Sequence, residues 1–384
     1  MIQRACFEEF RALRKVSVGL APLTVFVGPN GSGKTSVLEG IHYPLRVAWQ
    51  PIQQVLKGPW RPDRLRNTRA TEPLRLGVSF AGPADSSLLL DVTPIEEDPD
   101  GPQNGSPYRA RMLARSGAEA AEWNPYGRSL RDQGDAFGAL KRAAGRATFL
   151  RLSARALAEP HYSDEEEPKL SPSGEGLASV IAALWSNDFA RRDAIVDGLR
   201  RVVPTVRQVR TERARIVRQE TELIAIGDER LPRHREVSYW GHNVILDTSS
   251  GDAIPLVCAS EGTVLALGLM AVLHGRHRPR TLLMDDLDRA LHPKAQQDLV
   301  GLLREVMAAD PELQIIATSH SPFLLDALEH EEVRLTTLAD DGSVLCAALH
   351  EHPEFEQWKS LVKPGELWTS GLEDWLRSRQ GRAA

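Results

Sequence analysis

The sequence predicts an α/β protein with two lobes around a central, mostly parallel sheet, an antiparallel meander in the first lobe and an inserted helical segment in the second. Three observations predict it. The apolar run Leu23 to Val27 leads directly into "GPNGSGKTS", the strand, glycine-rich loop and helix of a phosphate-binding turn. Further on, "TLLMDD", "PKAQQDLVGLLREVMAAD" and "QIIAT" read as strand, helix and strand, a spacing that implies a right-handed parallel crossover. Between these regions "LRLGVSF" and "SLLLDV" alternate apolar and polar residues as antiparallel strands do.

Taken in order, "KVSVGLAPLTVFV" is extended structure that ends in the buried strand Leu23 to Val27. Residues 44–75 are rich in Pro and Arg, and the meander follows. Residues 98–135, with "DPDGPQNGSP" and "WNPYGRS", are dense in turn formers and are expected to carry loops. "ATFLRL" reads as a strand, and the acidic stretch "SDEEEPKLSPSGEG" as a mobile loop. Leu177, Ile181, Leu184, Ile195 and Leu199 have the spacing of amphipathic helices, whereas Val206 to Ile226 reads as mixed strand and helix. Ser260 opens an apolar helix that runs through Leu273. The crossover comes next, and "EVRLTTLADDGSVLCAALH" forms a hairpin turning at Asp341-Gly342. In domain terms this gives a first lobe over 1–160, an inserted Arg-rich helical or mixed segment over 161–255 and a second lobe over 256–384.

Bulk properties bound the function. Hydrophobic content of 42%, charged content of 26% and a net charge of -5 are ordinary for a globular protein, so any surface for nucleic acid must be local. The three cysteines, Cys6, Cys258 and Cys346, have no CxxC pairing, which fits a reducing cytoplasm and reads as small core residues. "MIQRACFEEFRALRKV" is charged throughout and is not a signal peptide. No apolar run reaches the roughly 18 residues of a membrane span.

The chemistry concentrates in a few short stretches. In Gly28, Pro29, Asn30, Gly31, Ser32, Gly33, Lys34, Thr35 and Ser36 the glycines let backbone N-H groups curl around phosphate oxygens, and the next helix presents its positive end to them. Lys34 bridges phosphates as a point charge and the Thr35 hydroxyl ligates Mg²⁺. Such a loop alone does not separate GTPases, kinases and ATPases. "TLLMDD" delivers Asp285 to the carboxyl end of a parallel strand, where it can hold the water shell of Mg²⁺. "QIIATSHSP" delivers His320 to the same edge, within reach of a terminal phosphate or an attacking water; a capping or surface histidine is the alternative. Ser260 and Gly262 in "CASEGTVLALGL" stand at a helix start, either an anion site or a plain N-cap.

In this order, "FVGPNGSGKTS", "SEGT", "LLMDDLDRALHP" and "ATSHSP" resemble the ABC-type ATPase family, and more closely its soluble branch of RecF, SMC and OLD-like proteins and small bacterial "AAA family" ATPases. The resemblance covers most of the chain, from "FEEFRALRKVSVGLAPLTVFVGPNGSGKT" to the tail "GELWTSGLEDW". It implies the fold of an ABC-type P-loop head and ATP with Mg²⁺ as cofactors. It further implies that Asp285 is the Walker B aspartate, Asp286 the general base and His320 the switch histidine, with Arg11 either near the nucleotide or a solvated strand-end arginine. Ser260 and Gly262 would be the signature motif, acting on ATP held by a second protomer, so that two chains close head to head around two nucleotides.

The departures refine that expectation. "SEGT" carries Thr263 where Ser-Gly-Gly-Gln is common, and "DLDRALHP" replaces the transporter-type "EPTSALD". No motif places the family's Q-loop glutamine, for which Gln133 is a candidate by exclusion. No heptads mark an SMC-like coiled coil. The 64 residues after His320 are too few for the nuclease domain that OLD-like proteins append, so an effector nuclease is expected as a separate chain. Asp286 stands where glutamate is usual. Its side chain is one methylene shorter, and a water misplaced by about 1 Å can cost on the order of 100-fold, so slow turnover is expected. RecF-like proteins carry an Asp-Asp pair at this point, which supports a live site; the alternative is that Asp286 caps the turn.

Twelve arginines fall between 191 and 235: Arg191, Arg192, Arg200, Arg201, Arg207, Arg210, Arg213, Arg215, Arg218, Arg230, Arg233 and Arg235. They suit phosphate contact by DNA, or form a solvated face balanced by Glu212, Glu220 and Glu222. The expectation is thus a cytoplasmic ATPase switch that controls a partner effector or engages DNA, in bacterial anti-phage defence or DNA maintenance. The rivals are a transporter's nucleotide-binding subunit and a scaffold that binds ATP without turnover.

Overall fold

The computed structural model describes all residues except 83–84, 95–107, 146, 227–228, 252, 360, 370, 372–373 and 381–384, together with all but a few side chains in the described helices and strands. Residues 98–107 of the turn-dense stretch, Ser370, Leu372 and Glu373 of the tail and the Arg230 side chain lie outside that description. The chain forms two compact units. One comprises Met1–Phe149, Pro279–Asp288 and Leu303–Ala384, and the other Leu150–Arg278 and Arg289–Leu302.

The described strands are β1 (Ile2–Phe10), β2 (Leu13–Gly19), β3 (Leu23–Val27), β4 (Leu74–Phe80), β5 (Ser86–Pro94), β6 (Tyr108–Ser116), β7 (Glu119–Trp123) and β8 (Ala147–Leu150). They continue with β9 (Val206–Ile226), β10 (Glu229–Thr248), β11 (Ala253–Pro255), β12 (Thr281–Met284), β13 (Gln314–Ser319), β14 (Val333–Leu338) and β15 (Val344–Ala348).

In the first unit one sheet has the order β2-β1-β4-β5-β6-β7 and is antiparallel throughout. The other has the order β15-β14-β3-β13-β12-β8. Its centre is parallel, with β3 between β14 and β13, and β12 beyond β13; β15 runs antiparallel to β14. Residues of β3 and β13 are buried along their whole length, as expected of strands covered on both faces. The helix Lys34–Val47 lies between the two sheets. Its Val37, Leu38 and Ile41 join Phe7, Phe10, Leu76 and Leu88 of the antiparallel sheet and Phe26, Leu283 and Ile316 of the parallel one in a single core. At Gly40 the helix comes so close to β1 that a Cβ would stand 2.6 Å from the Phe7 ring. That packing fixes the direction in which the helix N-terminus points.

The meander extends further than its sequence pattern indicates. β6 and β7 fall inside the stretch expected to carry loops, because β6 buries only Ala110, Met112 and Ala114 between exposed arginines, and small residues give a faint alternation. The hairpin at Asp341-Gly342 forms as expected, with Leu338 opposite Val344 and Gly342 at φ 78°. Cys6 and Cys258 are exposed and are not core residues; Cys6 sits on the outward side of the alternating strand β1.

In the second unit the helices Leu177–Asn187, Phe189–Val202 and Glu261–His274 pack together. Gly198 lets two of them approach, since a Cβ there would meet the Met270 sulfur at 2.7 Å. The segment read as mixed strand and helix is a single strand: β9 pairs with β10 in one antiparallel hairpin, from Val206 opposite Thr248 to Ile226 opposite Glu229, with Arg207 left out of the pairing at a bulge. Charged residues occupy both of its faces, Arg213 and Arg215 on one and Arg210, Arg218 and Glu220 on the other, so no apolar side marks the two-residue alternation that betrays a strand.

Candidate nucleotide site

Three neighbouring strands of the parallel sheet end at one edge. Ser319 of β13 lies opposite Val27 of β3, and Met284 of β12 opposite Ala317 of β13, so the residues that follow Val27, Met284 and Ser319 share that edge. Those residues are the phosphate loop, Asp285 and His320.

The loop conformation depends on its glycines. Gly28 has φ 156° and approaches β14 so closely that a Cβ would stand 2.1 Å from the Thr336 carbonyl oxygen. Gly33 caps the helix Lys34–Val47 at φ 90°, with Val344 2.5 Å from where a Cβ would be. Pro29, Asn30 and Gly31 are exposed, whereas Ser32 is buried and hydrogen-bonds the Thr336 hydroxyl at 2.7 Å. Lys34 is buried and folds back over the loop, its Nζ donating to the Gly28 and Pro29 carbonyls at 2.8 Å each. Burial lowers its pKa to about 8 against the opposing pull of Asp286, Asp285 and Asp288. An ammonium held only by two neutral carbonyls gains strongly from an arriving phosphate.

Thr35 and Asp285 stand side by side. The Thr35 hydroxyl lies 3.0 Å from both Asp285 oxygens. The chain's motifs did not single out Thr318, yet its hydroxyl donates to Asp285 at 2.8 Å and accepts the backbone N-H of Asp286 at 2.8 Å. This one side chain fixes both acidic residues. Its signal was its place in "ATSHSP", one strand over, but only the register of β12 against β13 shows what it clamps.

Asp286 sits at φ 54°, in the left-handed region where Asp is tolerated better than longer side chains. The aspartate at the glutamate position therefore has a backbone reason. Its carboxylate is half exposed, and its pKa is raised by burial and then by the neighbouring Asp285 charge. His320 places Nε2 3.9 Å from Asp286 Oδ1, and its backbone N-H donates to Asp288 at 3.2 Å. Burial, then the positive Lys34, draws the imidazole pKa below its ordinary range and favours the neutral ring.

Arg11 lies in the β1–β2 turn at φ 52°, and its Nη1 contacts the Ser36 hydroxyl at 3.2 Å and the Glu39 carboxylate at 2.5 Å. It braces the first turns of the loop helix. Gln133 turns its amide to the Ser129 carbonyl at 3.3 Å.

Ser260 and Gly262 belong to the second unit. Ser260 is exposed and caps the helix Glu261–His274, accepting the Thr263 N-H at 3.3 Å and sharing a 2.8 Å hydrogen bond with the Thr263 hydroxyl. Gly262 packs on the turn at Ala290, whose carbonyl oxygen would stand 2.3 Å from a Cβ. Glu261 and Arg289 pair at 2.8 Å across the same junction.

Mg²⁺ fits the donor set of the first unit. Among the described residues no group of three or more His, Cys, Asp or Glu side chains could hold a metal by themselves. A hydroxyl and a single carboxylate beside a phosphate cradle suit Mg²⁺, which keeps several waters and takes its remaining ligands from a nucleotide's phosphates.

Residues 23–326 match the family described as "AAA domain, putative AbiEii toxin, Type IV TA system". The OLD nuclease of Thermus scotoductus is 22% identical over 378 residues, which cover 91% of this chain and 65% of that protein. This chain thus spans less than two thirds of that relative's length. Septu protein PtuA of Bacillus thuringiensis is 35% identical over 63 residues, 16% of this chain and 15% of that one. Among solved structures, an SMC head bound to the C-terminal winged-helix domain of ScpA superimposes with a TM-score of 0.53 at 14% identity, covering 91% of this chain and 99% of that one. An SMC head with an extended coiled coil, bound to the C-terminal domain of ScpA and derived from Pyrococcus furiosus, gives 0.51 at 12% identity, with 94% and 99% covered. These two share the fold. With the family match running over most of the chain, the protein belongs to this AAA-domain family, and its fold is that of the SMC heads.

Proposed function

We propose that the protein binds ATP with Mg²⁺ at the Gly28–Ser36 loop, hydrolyses it slowly, and uses the ATP-bound state, closed between two copies, to control a separate effector. The observation that carries this reading is the convergence of the Thr35 hydroxyl on Asp285 beside the phosphate cradle, with Asp286 and His320 on the same sheet edge.

In this reading the loop N-H groups and Lys34 bind the phosphates. Thr35 and Asp285 would hold Mg²⁺, which when bound neutralises phosphate charge. Asp286, made more basic by burial and by Asp285, orients the attacking water and accepts its proton. His320 serves as a neutral donor toward the terminal phosphate. Arg11 acts on the nucleotide through Ser36 and the helix start. Ser260 and Gly262 complete the site of the partner copy.

An effector of nuclease type is favoured by the OLD nuclease likeness, and a protein that docks on the head by the neighbours crystallised with ScpA domains. Anti-phage defence is the setting that follows. No helix among the described residues is long and apolar enough to cross a membrane.

Sedimentation velocity on Asp286→Asn tests the switch. The expected result is a dimer with ATP and Mg²⁺ and a monomer with ADP; one sedimentation coefficient under both conditions would refute it.

A further inference from the structure

The two faces of the β9–β10 hairpin treat their arginines differently. On one face Arg210 is neutralised by Asp247 through contacts of 2.7 and 2.8 Å. On that face Arg218 also donates to the Tyr162 carbonyl at 3.2 Å, and Tyr162 stacks on Tyr239 with ring centroids 4.6 Å apart. The face is packed against residues 161–162, which bridge to His242.

The opposite face carries Arg213, Arg215 and Val217 on β9 and Ser238 and Trp240 on β10, set by the pairing of Arg215 with Trp240 and of Val217 with Ser238. Trp240 is 62% exposed and Val217 54%. The Arg213 guanidinium lies over the indole, 5.2 Å from its centroid, and Arg215 reaches the Ser238 hydroxyl at 2.9 Å. Among the described residues no carboxylate forms an ion pair with Arg213 or Arg215. Glu236, one cross-strand pair beyond Ser238, is the carboxylate on this face nearest to them along the strand. A large exposed indole flanked by two cations that form no ion pair among the described residues complements a polyanion that also offers flat apolar surfaces. Nucleic acid has both properties, and only a single strand leaves its bases free to stack.

We propose that this face binds single-stranded nucleic acid, with a base stacked on Trp240 and neighbouring phosphates neutralised by Arg213 and Arg215. The two arginines alternate on one strand about 7 Å apart, so they reach successive points along a backbone lying parallel to β9. The proposal does not depend on ATP, so its failure and that of the nucleotide reading are separable.

The test is fluorescence anisotropy of a labelled oligodeoxythymidylate of about 16 nucleotides with the full chain, without nucleotide. Trp240→Ala is expected to weaken binding roughly 5- to 150-fold, and Trp240→Phe to restore most of it. Replacing both Arg213 and Arg215 by Ala should flatten the logarithmic salt slope by about 1.4, from roughly 0.7 per phosphate contact on a single strand. Arg233→Ala with Arg235→Ala, exposed on the other face opposite Glu222 and Glu220, should change affinity less than about twofold. The proposal is overturned by absence of salt-dependent binding, by unchanged affinity in folded Trp240→Ala, or by equal binding of a duplex of the same length. It is also overturned if Trp240→Ala dissociates an oligomer without altering oligonucleotide binding, which would assign the face to a second copy.

Discussion

Asp286 connects the residue scale to the chemistry. A left-handed backbone, an N-H held by Thr318 and a carboxyl pKa raised by burial are the features on which its proposed role as a short water-orienting base rests. Asp286→Asn keeps the backbone preference, since Asn is equally at home at positive φ. It is therefore expected to leave ATP affinity nearly unchanged while phosphate release falls about 100- to 10,000-fold, read from equilibrium binding and turnover on one preparation. The cysteines give a check on the fold far from that edge. Cys6 and Cys258 are exposed, whereas burial pushes the Cys346 thiol up to about 12. The thiolate is the reactive form, so Cys346 should alkylate far more slowly than the other two at pH 8. Because its pKa is raised, its rate should climb about tenfold per pH unit toward 12. Mass spectrometry of iodoacetamide-treated protein would show this, and equal labelling of all three would contradict the burial.

At the scale of elements, the junction between the helix Glu261–His274 and the turn at Ala290 stores a steric conflict and a relief. Gly262 admits no Cβ, with the Ala290 oxygen 2.3 Å away, and Ala290 itself has φ 58°. Gly262→Ala should lower stability by about 1–3 kcal/mol through overpacking. Ala290→Gly should raise it by about 1 kcal/mol as left-handed strain is relieved, less the entropy glycine adds to the unfolded chain. Urea midpoints of the two variants check both signs. The elements themselves were unevenly legible. β3, β12 and β13 announce themselves as short apolar runs because both of their faces are buried. β9 does not, since an arm with charged residues on both faces has no apolar side to mark its period. The tie from Ser32 to Thr336 spans 304 residues of sequence and exists only through sheet order.

At the scale of the whole molecule, the site was legible where chemistry demands particular residue types in a fixed order. "GPNGSGKTS", "MDD" and "TSHSP" place a cradle, two carboxylates and an imidazole at strand ends, and β3, β13 and β12 stand side by side so that those ends meet. Thr318, Glu39 and Thr336 escaped because their roles depend on neighbours brought together by folding. ATP that binds only the folded chain should also protect it, by about 2.7 kcal/mol at a hundredfold excess over Kd, and Lys34→Ala should remove that protection in thermal melts. The most direct measurement is steady-state phosphate release from Mg²⁺-ATP by the wild type, Lys34→Ala and Asp286→Asn. An ATP-hydrolysing switch built on this sheet edge predicts slow release by the wild type and background release by both variants. Equal rates in all three would contradict it.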